Sequence, residues 1–188
     1  YGIKNFNIDI ALEKKLKKLP KFDLIIDCCA EASVEFSRRN VDKVLATNLL
    51  GTYNILKKCV KDSTNIIFLS SSRVYSLDSL KKIINKKIIK NPIEVDKEIN
   101  INFDTSGPKT FYGFSKLASE HLIKEYSFSS KIKYIINRCG VIAGPWQFGK
   151  VDQGFVSLWV WRCINKLPLN YFGYGGYGHQ VRDILSIN

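Results

Sequence analysis

NIIFLSSSRVY, residues 65–75, is the most informative stretch of the chain for its fold class. Its first six residues form a short, almost continuous apolar run, which is typical of a buried strand in a parallel sheet. A similar run, FDLIIDCC, occupies Phe22–Cys29, and apolar residues at helical spacing cover Val41–Lys61 and Phe111–Tyr126. This alternation of strands and helices predicts an α/β fold with a doubly wound, Rossmann-like parallel sheet.

The remainder of the chain continues the alternation. The same patterns predict five more elements: helices over Asp9–Leu19 and Gly154–Asn165, and strands over Lys133–Arg138, Leu169–Phe172 and Val181–Ile187. A polar, Lys-rich excursion covers residues 76–109, which is longer than an ordinary connection between elements. We therefore expect a functional loop or lid there, or an element that the pattern does not reveal.

The net charge of +12 raises the question of a nucleic-acid partner. The 29 basic residues are 23 Lys and 6 Arg, whereas recognition of phosphates and base edges relies mainly on the planar donors of Arg. We interpret the densest cluster of Lys residues, residues 81–90, as a solvated insertion. The alternative is a basic patch that binds an anionic surface. No apolar run approaches the roughly 20 residues of a membrane span. We predict neither a nucleic acid nor a membrane as partner.

The five cysteines form no C-x-x-C pair, and the chain has only two histidines. This combination offers no set of ligands at the spacing of a zinc site, so we predict no metal. The cysteines are expected to act as small buried hydrophobes in a reducing compartment. That expectation favours the cytoplasm.

The segment GYGGYG, residues 173–178, matches the dinucleotide-binding pattern G-x-G-x-x-G. The mechanism behind that pattern requires a preceding strand and a helix N-terminus directly after it to hold a pyrophosphate. The residues that follow here alternate like a strand. We therefore interpret the segment as a turn on the substrate side.

Tyr112 and Lys116 are the strongest chemical signal, because residues four apart on a helix share one face. A phenol has an ordinary pKa of about 10, and a neighbouring ammonium lowers it by favouring the phenolate. Lowering it by about 3 units takes roughly 4 kcal/mol. The hydroxyls of Ser71 and Ser72 follow the strand at 65–70, at the edge of the sheet where open α/β folds bind ligands.

These motifs together resemble the extended short-chain dehydrogenase/reductase family. The resemblance rests on SSSRVY followed by Y-x-x-x-K, on the N-x-x-G-T segment that begins at Asn48, and on the Arg-Asp pair at Arg182. The stretches 137–145 and 147–154 are similar to the CDP-paratose (CDP-tyvelose) 2-epimerase group of that family. The family's glycine-rich first unit and most of its C-terminal substrate region have no counterpart here, so we expect an internal fragment.

The resemblance implies NAD as cofactor, a nucleotide-diphosphate sugar as substrate and a homo-oligomer for the complete protein. Residues 1–140 would be a partial dinucleotide-binding domain, and residues 141–188 the start of a smaller substrate-binding region. The implied catalytic residues are Ser71, Tyr112 and Lys116. The implied cofactor-binding residues are Cys29, Ala30, Asn48, Tyr112, Lys116 and Cys139. The implied substrate-binding residues are Ser72, Gln147, Gln153 and Arg182.

The implied reaction is epimerisation through a transient keto-sugar. Relatives that eliminate water carry Asp-Glu directly after the Ser/Thr of the site, whereas Ser72 and Arg73 occupy those places here. We therefore expect an epimerase, with a weak preference for C2 of a CDP-sugar. A sugar-nucleotide 4-epimerase, a 4,6-dehydratase and a non-catalytic basic binding protein remain the alternatives.

Overall fold

The computed structural model describes residues 2–87, 99–150, 153–171, 176–177 and 182–187. It divides the chain into two compact units, residues 1–138 and residues 139–188. The candidate catalytic residues belong to the first unit.

The first unit is built on three strands in the order β1-β2-β3: β1 (Leu24–Asp27), β2 (Asn65–Ser71) and β3 (Tyr134–Cys139). Strands β1 and β2 are parallel, with Leu24 opposite Asn65 and Asp27 opposite Phe68. The two apolar runs recognised in the sequence therefore pair side by side. Their carboxyl ends lie at the same edge of the sheet.

One short helix precedes β1, and further helices occupy the connections between the strands. They are α1 (Glu13–Leu16), α2 (Val34–Arg39), α3 (Val41–Val44), a π-helical turn (Leu45–Leu50), α4 (Gly51–Asp62), a 3₁₀ turn (Ser72–Val74), α5 (Leu77–Lys87) and α6 (Phe111–Ser130). Helices α2 and α5 were not predicted. Helix α5 lies within the excursion at 76–109, so the first part of that excursion is an unrecognised element.

The core of the first unit lies between β2 and helices α4 and α6. Residues of β2 alternate, so that Ile66 and Phe68 are buried against the helices. Leu56 and Cys59 of α4 and Ile123 of α6 meet them there. Burying one large apolar side chain such as Phe68 contributes about 2–3 kcal/mol. This packing fixes α6 against β2.

The second unit contains β4 (Val141–Ala143), α7 (Phe155–Ile164) and β5 (Ile184–Ser186), with β4 and β5 parallel. None of its described residues is buried. The predicted strand over Leu169–Phe172 is wrong for residues 169–171, which form neither strand nor helix. The ring of Tyr171 packs edge-on against Trp159 of α7 at 5.3 Å, so the apolar pattern there serves ring packing instead of a strand ladder.

The cysteine prediction is correct for Cys59 only. Cys28, Cys29 and Cys163 are exposed, because the first two follow the end of β1 and the third lies in α7, which buries none of its residues. The segment GYGGYG lies largely outside the described residues. Within the described part of the chain, no helix combines the length and the apolar character that a bilayer span requires.

Candidate active site

At the carboxyl end of β2, the Ser71 hydroxyl caps the turn that follows the strand. Its oxygen accepts a hydrogen bond from the Arg73 amide at 3.2 Å and so caps the 3₁₀ turn that begins at Ser72. Ser71 is 8% exposed. The serine run therefore turns the chain sharply where the strand ends, with Ser71 at the edge of the sheet.

Gly113 brings the start of α6 against this turn. A Cβ at that position would lie 2.1 Å from the Arg73 carbonyl oxygen, so only glycine allows the helix to approach so closely. The Thr110 hydroxyl caps the helix by accepting a hydrogen bond from the Gly113 amide at 3.1 Å. Tyr112, between the cap and the glycine, is thus held beside the turn that follows Ser71.

Lys116 lies one helical turn beyond Tyr112 and is 2% exposed. Its Nζ donates a hydrogen bond to the Leu69 carbonyl at 2.9 Å and lies 4.4 Å from the centre of the Phe68 ring. The ammonium is therefore fixed at the carboxyl edge of β2. The structure brings the helix of Tyr112 and Lys116 together with the strand end of Ser71, as the sequence predicts.

Asn48 holds the backbone that follows β1. Its Oδ1 accepts a hydrogen bond from the Glu31 amide at 2.8 Å, and its Nδ2 donates to the Glu31 carbonyl at 3.3 Å and to the Ser115 hydroxyl at 3.0 Å. Asn48 lies in the π-helical turn and is fully buried. It therefore ties the loop that begins at Cys29 to helix α6. Local π-helical geometry often accompanies functional sites.

Asp27, the last residue of β1, is a buried carboxyl that the sequence analysis did not identify. Its Oδ1 accepts a hydrogen bond from the Cys29 amide at 3.0 Å, and its Oδ2 lies 3.1 Å from the Thr52 hydroxyl oxygen. Burial raises the pKa of Asp27, opposed by the Cys29 amide and by the charge of Lys116. An Asp at the end of an apolar strand was the available signal.

Glu120, which is buried, forms an ion pair with the partly buried Arg138, and the sequence motifs did not indicate this pair. The Arg138 Nη2 lies 2.7 Å from the Glu120 Oε2, and its Nε donates to both carboxylate oxygens. The Ser70 hydroxyl donates to the same carboxylate. This pairing with Glu120 raises the pKa of Arg138. Glu120 lies four residues after Lys116 on the same helix face, but no local pattern in the sequence indicates its pairing with Arg138.

The remaining candidate residues take the following positions. Ala30 directly precedes the backbone held by Asn48, and Cys29 donates its amide hydrogen to Asp27. In the second unit, Gln147 donates from Nε2 to the Ile142 carbonyl at 2.8 Å and accepts from the Ser157 hydroxyl at 3.0 Å.

Three further candidate residues are placed by the backbone. Cys139 is the last residue of β3, and Arg182 shortly precedes β5. The Gln153 carbonyl accepts a hydrogen bond from the Lys150 amide. Their cofactor and substrate roles stay predictions.

The family model of the NAD-dependent epimerase/dehydratase family matches residues 4–188. The chain belongs to this family of enzymes, which confirms the family assignment made from the motifs. It is similar to a dTDP-D-glucose 4,6-dehydratase of Dictyostelium discoideum, with 28% identity over 96% of this chain and 39% of the relative. It is also similar to a CDP-paratose 2-epimerase of Salmonella typhi, with 27% identity over 73% of this chain and 42% of the relative.

Among solved structures, the chain resembles the UDP-glucose 4-epimerase of Thermus thermophilus in complex with NAD. The TM-score is 0.77 at 23% identity, over 96% of this chain and 55% of that one. This likeness confirms the Rossmann-like α/β fold. The chain spans less than half the length of the two curated relatives.

Proposed function

We propose that the complete protein is an NAD-dependent epimerase of a nucleotide-diphosphate sugar. The observation that carries this proposal is the position of Lys116: a buried ammonium fixed at the carboxyl edge of β2, one helical turn from Tyr112. Burying an ammonium is costly unless its charge is used or compensated. A phenol that must lose its proton is a chemical use for that charge.

The residues at this edge fit the nicotinamide and ribose end of NAD. The supporting observation is that the Lys116 ammonium and the Ser71 hydroxyl both lie at the carboxyl end of β2, where open parallel sheets bind their ligands, and that Tyr112 lies on the same helix as Lys116. Lys116 and Tyr112 would hydrogen-bond the ribose, and the backbone of Cys29 and Ala30 would lie along the cofactor. When bound, NAD supplies a hydride acceptor and donor.

Three side chains would carry the proton chemistry. Tyr112, as phenolate, takes the proton of the sugar hydroxyl while that carbon loses hydride, and it returns the proton when hydride comes back to the other face. Lys116 lowers the pKa of the phenol by its charge. Ser71 donates a hydrogen bond to the reacting oxygen and orients it. A correctly placed acid/base group of this kind accelerates a reaction by about 10²–10⁴-fold.

The names of the relatives and the position of Arg182 support a nucleotide-diphosphate sugar as the substrate class. The three similar proteins described above are all named for nucleotide-diphosphate sugars. A guanidinium binds a diphosphate with two parallel hydrogen bonds, which is the role proposed for Arg182. The CDP-paratose 2-epimerase likeness supports C2 of a CDP-sugar. Homo-oligomerisation and a cytoplasmic location remain part of the same proposal.

Substitution of Tyr112 by Phe in the complete protein tests this function. We expect turnover of CDP-sugars to fall at least about 100-fold, because the acid/base group is removed, while NAD binding is retained. Tyr126→Phe on the same helix is the matched control and should leave turnover unchanged. Near-normal turnover by the Tyr112→Phe protein would contradict the assignment.

A 4,6-dehydratase is the second candidate, because the Dictyostelium relative carries that name. Ser72 and Arg73 provide no carboxyl group for the elimination of water, which favours the epimerase. The mass of the product separates the two, since epimerisation preserves the mass of the sugar and dehydration removes one water.

A further inference from the structure

Ser115 is a buried hydroxyl that lies between two candidate catalytic residues of α6. It is fully buried, three residues after Tyr112 and directly before Lys116. Its hydroxyl donates a hydrogen bond to the Tyr112 carbonyl at 2.8 Å and accepts one from the Asn48 Nδ2 at 3.0 Å. A hydroxyl has a single proton to donate, so Ser115 serves Asn48 as an acceptor.

The partners of the Asn48 side chain fix the orientation of its amide group. The main-chain amide of Glu31 can only donate, so the side-chain oxygen of Asn48 faces it, at 2.8 Å. The nitrogen then faces the Glu31 carbonyl, at 3.3 Å, and the Ser115 hydroxyl, at 3.0 Å. Asn48 therefore pairs with both main-chain groups of Glu31, and both of its amide hydrogens are used.

Ser115 connects this pairing to α6. Ser115 and Lys116 are consecutive, and they reach the ends of two neighbouring strands: Ser115 contacts the loop after β1 through Asn48, and Lys116 contacts Leu69 of β2. Removal of the Ser115 hydroxyl would leave a buried amide hydrogen of Asn48 without its acceptor. The arrangement in which Asn48 pairs with Glu31 would then be less favourable.

We propose that Ser115 is a positioning residue that acts through Asn48 and fixes the loop after β1, along which NAD would lie, against α6. This role rests on the proposed function, because it assumes that the loop binds NAD. A loop that is already held needs no ordering when the cofactor binds, so its fixation favours binding.

Ser119 offers a matched control on the same face of α6. It is equally buried, and its hydroxyl also contacts Asn48, at 3.0 Å. That contact is to the main-chain carbonyl of Asn48, which also accepts a hydrogen bond from the Thr52 hydroxyl at 2.8 Å. Ser119→Ala therefore removes a buried hydroxyl from α6 and leaves the side-chain amide that holds Glu31 with all of its partners.

Amide hydrogen exchange in the complete protein tests the positioning in the absence of NAD. We expect the Glu31 amide to exchange at least about fivefold faster in Ser115→Ala than in Ser119→Ala protein, which is the size expected for one lost hydrogen bond. Equal exchange of this amide in the two variants would overturn the proposal. The measurement needs neither substrate nor cofactor, so its result is independent of the proposed function.

Titration of the complete protein with NAD tests the consequence for the cofactor. We expect the Kd of NAD to be at least about fivefold higher for Ser115→Ala than for Ser119→Ala protein. In an Asn48→Ala background, Ser115→Ala should change the Kd by less than about twofold, because its effect passes through Asn48.

Two results of this titration would overturn the proposal. One is an equal Kd for the Ser115→Ala and Ser119→Ala proteins, and the other is an undiminished effect of Ser115→Ala in the Asn48→Ala background. Failure of the unsubstituted protein to bind NAD would instead contradict the proposed function, and it is observed without any variant.

Discussion

Two carboxyl groups in the first unit are equally buried and are satisfied in opposite ways. Glu120 and Asp27 are both 1% exposed. Glu120 is bound by two nitrogens of Arg138, whereas Asp27 contacts a hydroxyl and a main-chain amide. Equally buried carboxyl groups therefore have different environments, because a guanidinium binds one of them, whereas a hydroxyl and a main-chain amide bind the other.

The residues around Glu120 and the residues around Asp27 also have different roles near Lys116. Glu120 links the end of β2 to β3, because it accepts hydrogen bonds from Ser70 of β2 and Arg138 of β3. Arg138 also donates a hydrogen bond to the Ile101 carbonyl at 2.8 Å. These contacts form a structural tie between elements. The Asp27 region joins the end of β1 to α4 through the Thr52 hydroxyl.

Removing the charge of Glu120 should lower the free energy of unfolding more than the other substitutions described below. Glu120→Gln leaves the Arg138 guanidinium, only 16% exposed, without its counter-charge. Breaking one side of a buried ion pair costs about 3–5 kcal/mol, and we expect the lower end of that range. Urea unfolding of the complete protein measures it. Glu125→Gln, at an exposed position of the same helix, should cost less than about 0.5 kcal/mol. Equal losses for both variants would refute the buried ion pair.

Removing the Thr52 hydroxyl next to Asp27 should lower the free energy of unfolding by an intermediate amount. Thr52→Val preserves shape but removes a hydrogen bond from the Asp27 carboxyl, while the Asn48 carbonyl keeps its contact with the Ser119 hydroxyl at 3.0 Å. An unsatisfied buried polar group costs about 1–3 kcal/mol, so we expect a loss of about 2 kcal/mol in unfolding free energy. Thr47→Val, in the preceding π-helical turn, serves as the control. A Thr52→Val protein as stable as its control would argue against the contact.

Replacing Asp27 itself should have the smallest effect on stability at neutral pH. Asp27→Asn keeps the shape of the side chain, and we expect a change below about 1 kcal/mol in the free energy of unfolding. The pH dependence has a definite sign, because burial raises the pKa of Asp27 in the folded state. Its stabilising contribution is complete below the unfolded pKa and is lost as the pH rises through the folded value.

Unfolding measured at several pH values checks that sign. The stability advantage of the unsubstituted protein over Asp27→Asn should shrink as the pH rises from about 4 toward the folded pKa of Asp27. An advantage that grows over the same interval would mean that Asp27 is ionised and stabilised in that form.

The sequence was sufficient for elements with strong local patterns. The apolar runs before Asp27 and Ser71 predict strands because a parallel strand must be apolar along its length. Helix α5 was missed because its Lys residues conceal a short apolar stripe. Helix α2 has only six residues, and the Ser33 hydroxyl that caps it is the clearest local signal.

The sequence predicts those parts of the candidate site whose residues lie close together on a single helix or strand. Tyr112 and Lys116 follow from helical spacing alone. The pairs of Asp27 with Thr52 and of Glu120 with Arg138 join residues 25 and 18 positions apart. No local pattern specifies such contacts, because they depend on how the helices pack on the sheet.

The complete protein is proposed to invert a sugar carbon by removing its hydride and returning it, with Tyr112 as the acid/base. Running the complete protein with a CDP-sugar in D₂O and analysing the product by mass spectrometry tests this most directly. Hydride that leaves a carbon and returns to it does not exchange with solvent, so we predict an epimer without deuterium at the inverted carbon. Stoichiometric solvent deuterium at that carbon would show inversion by proton removal and would contradict the account.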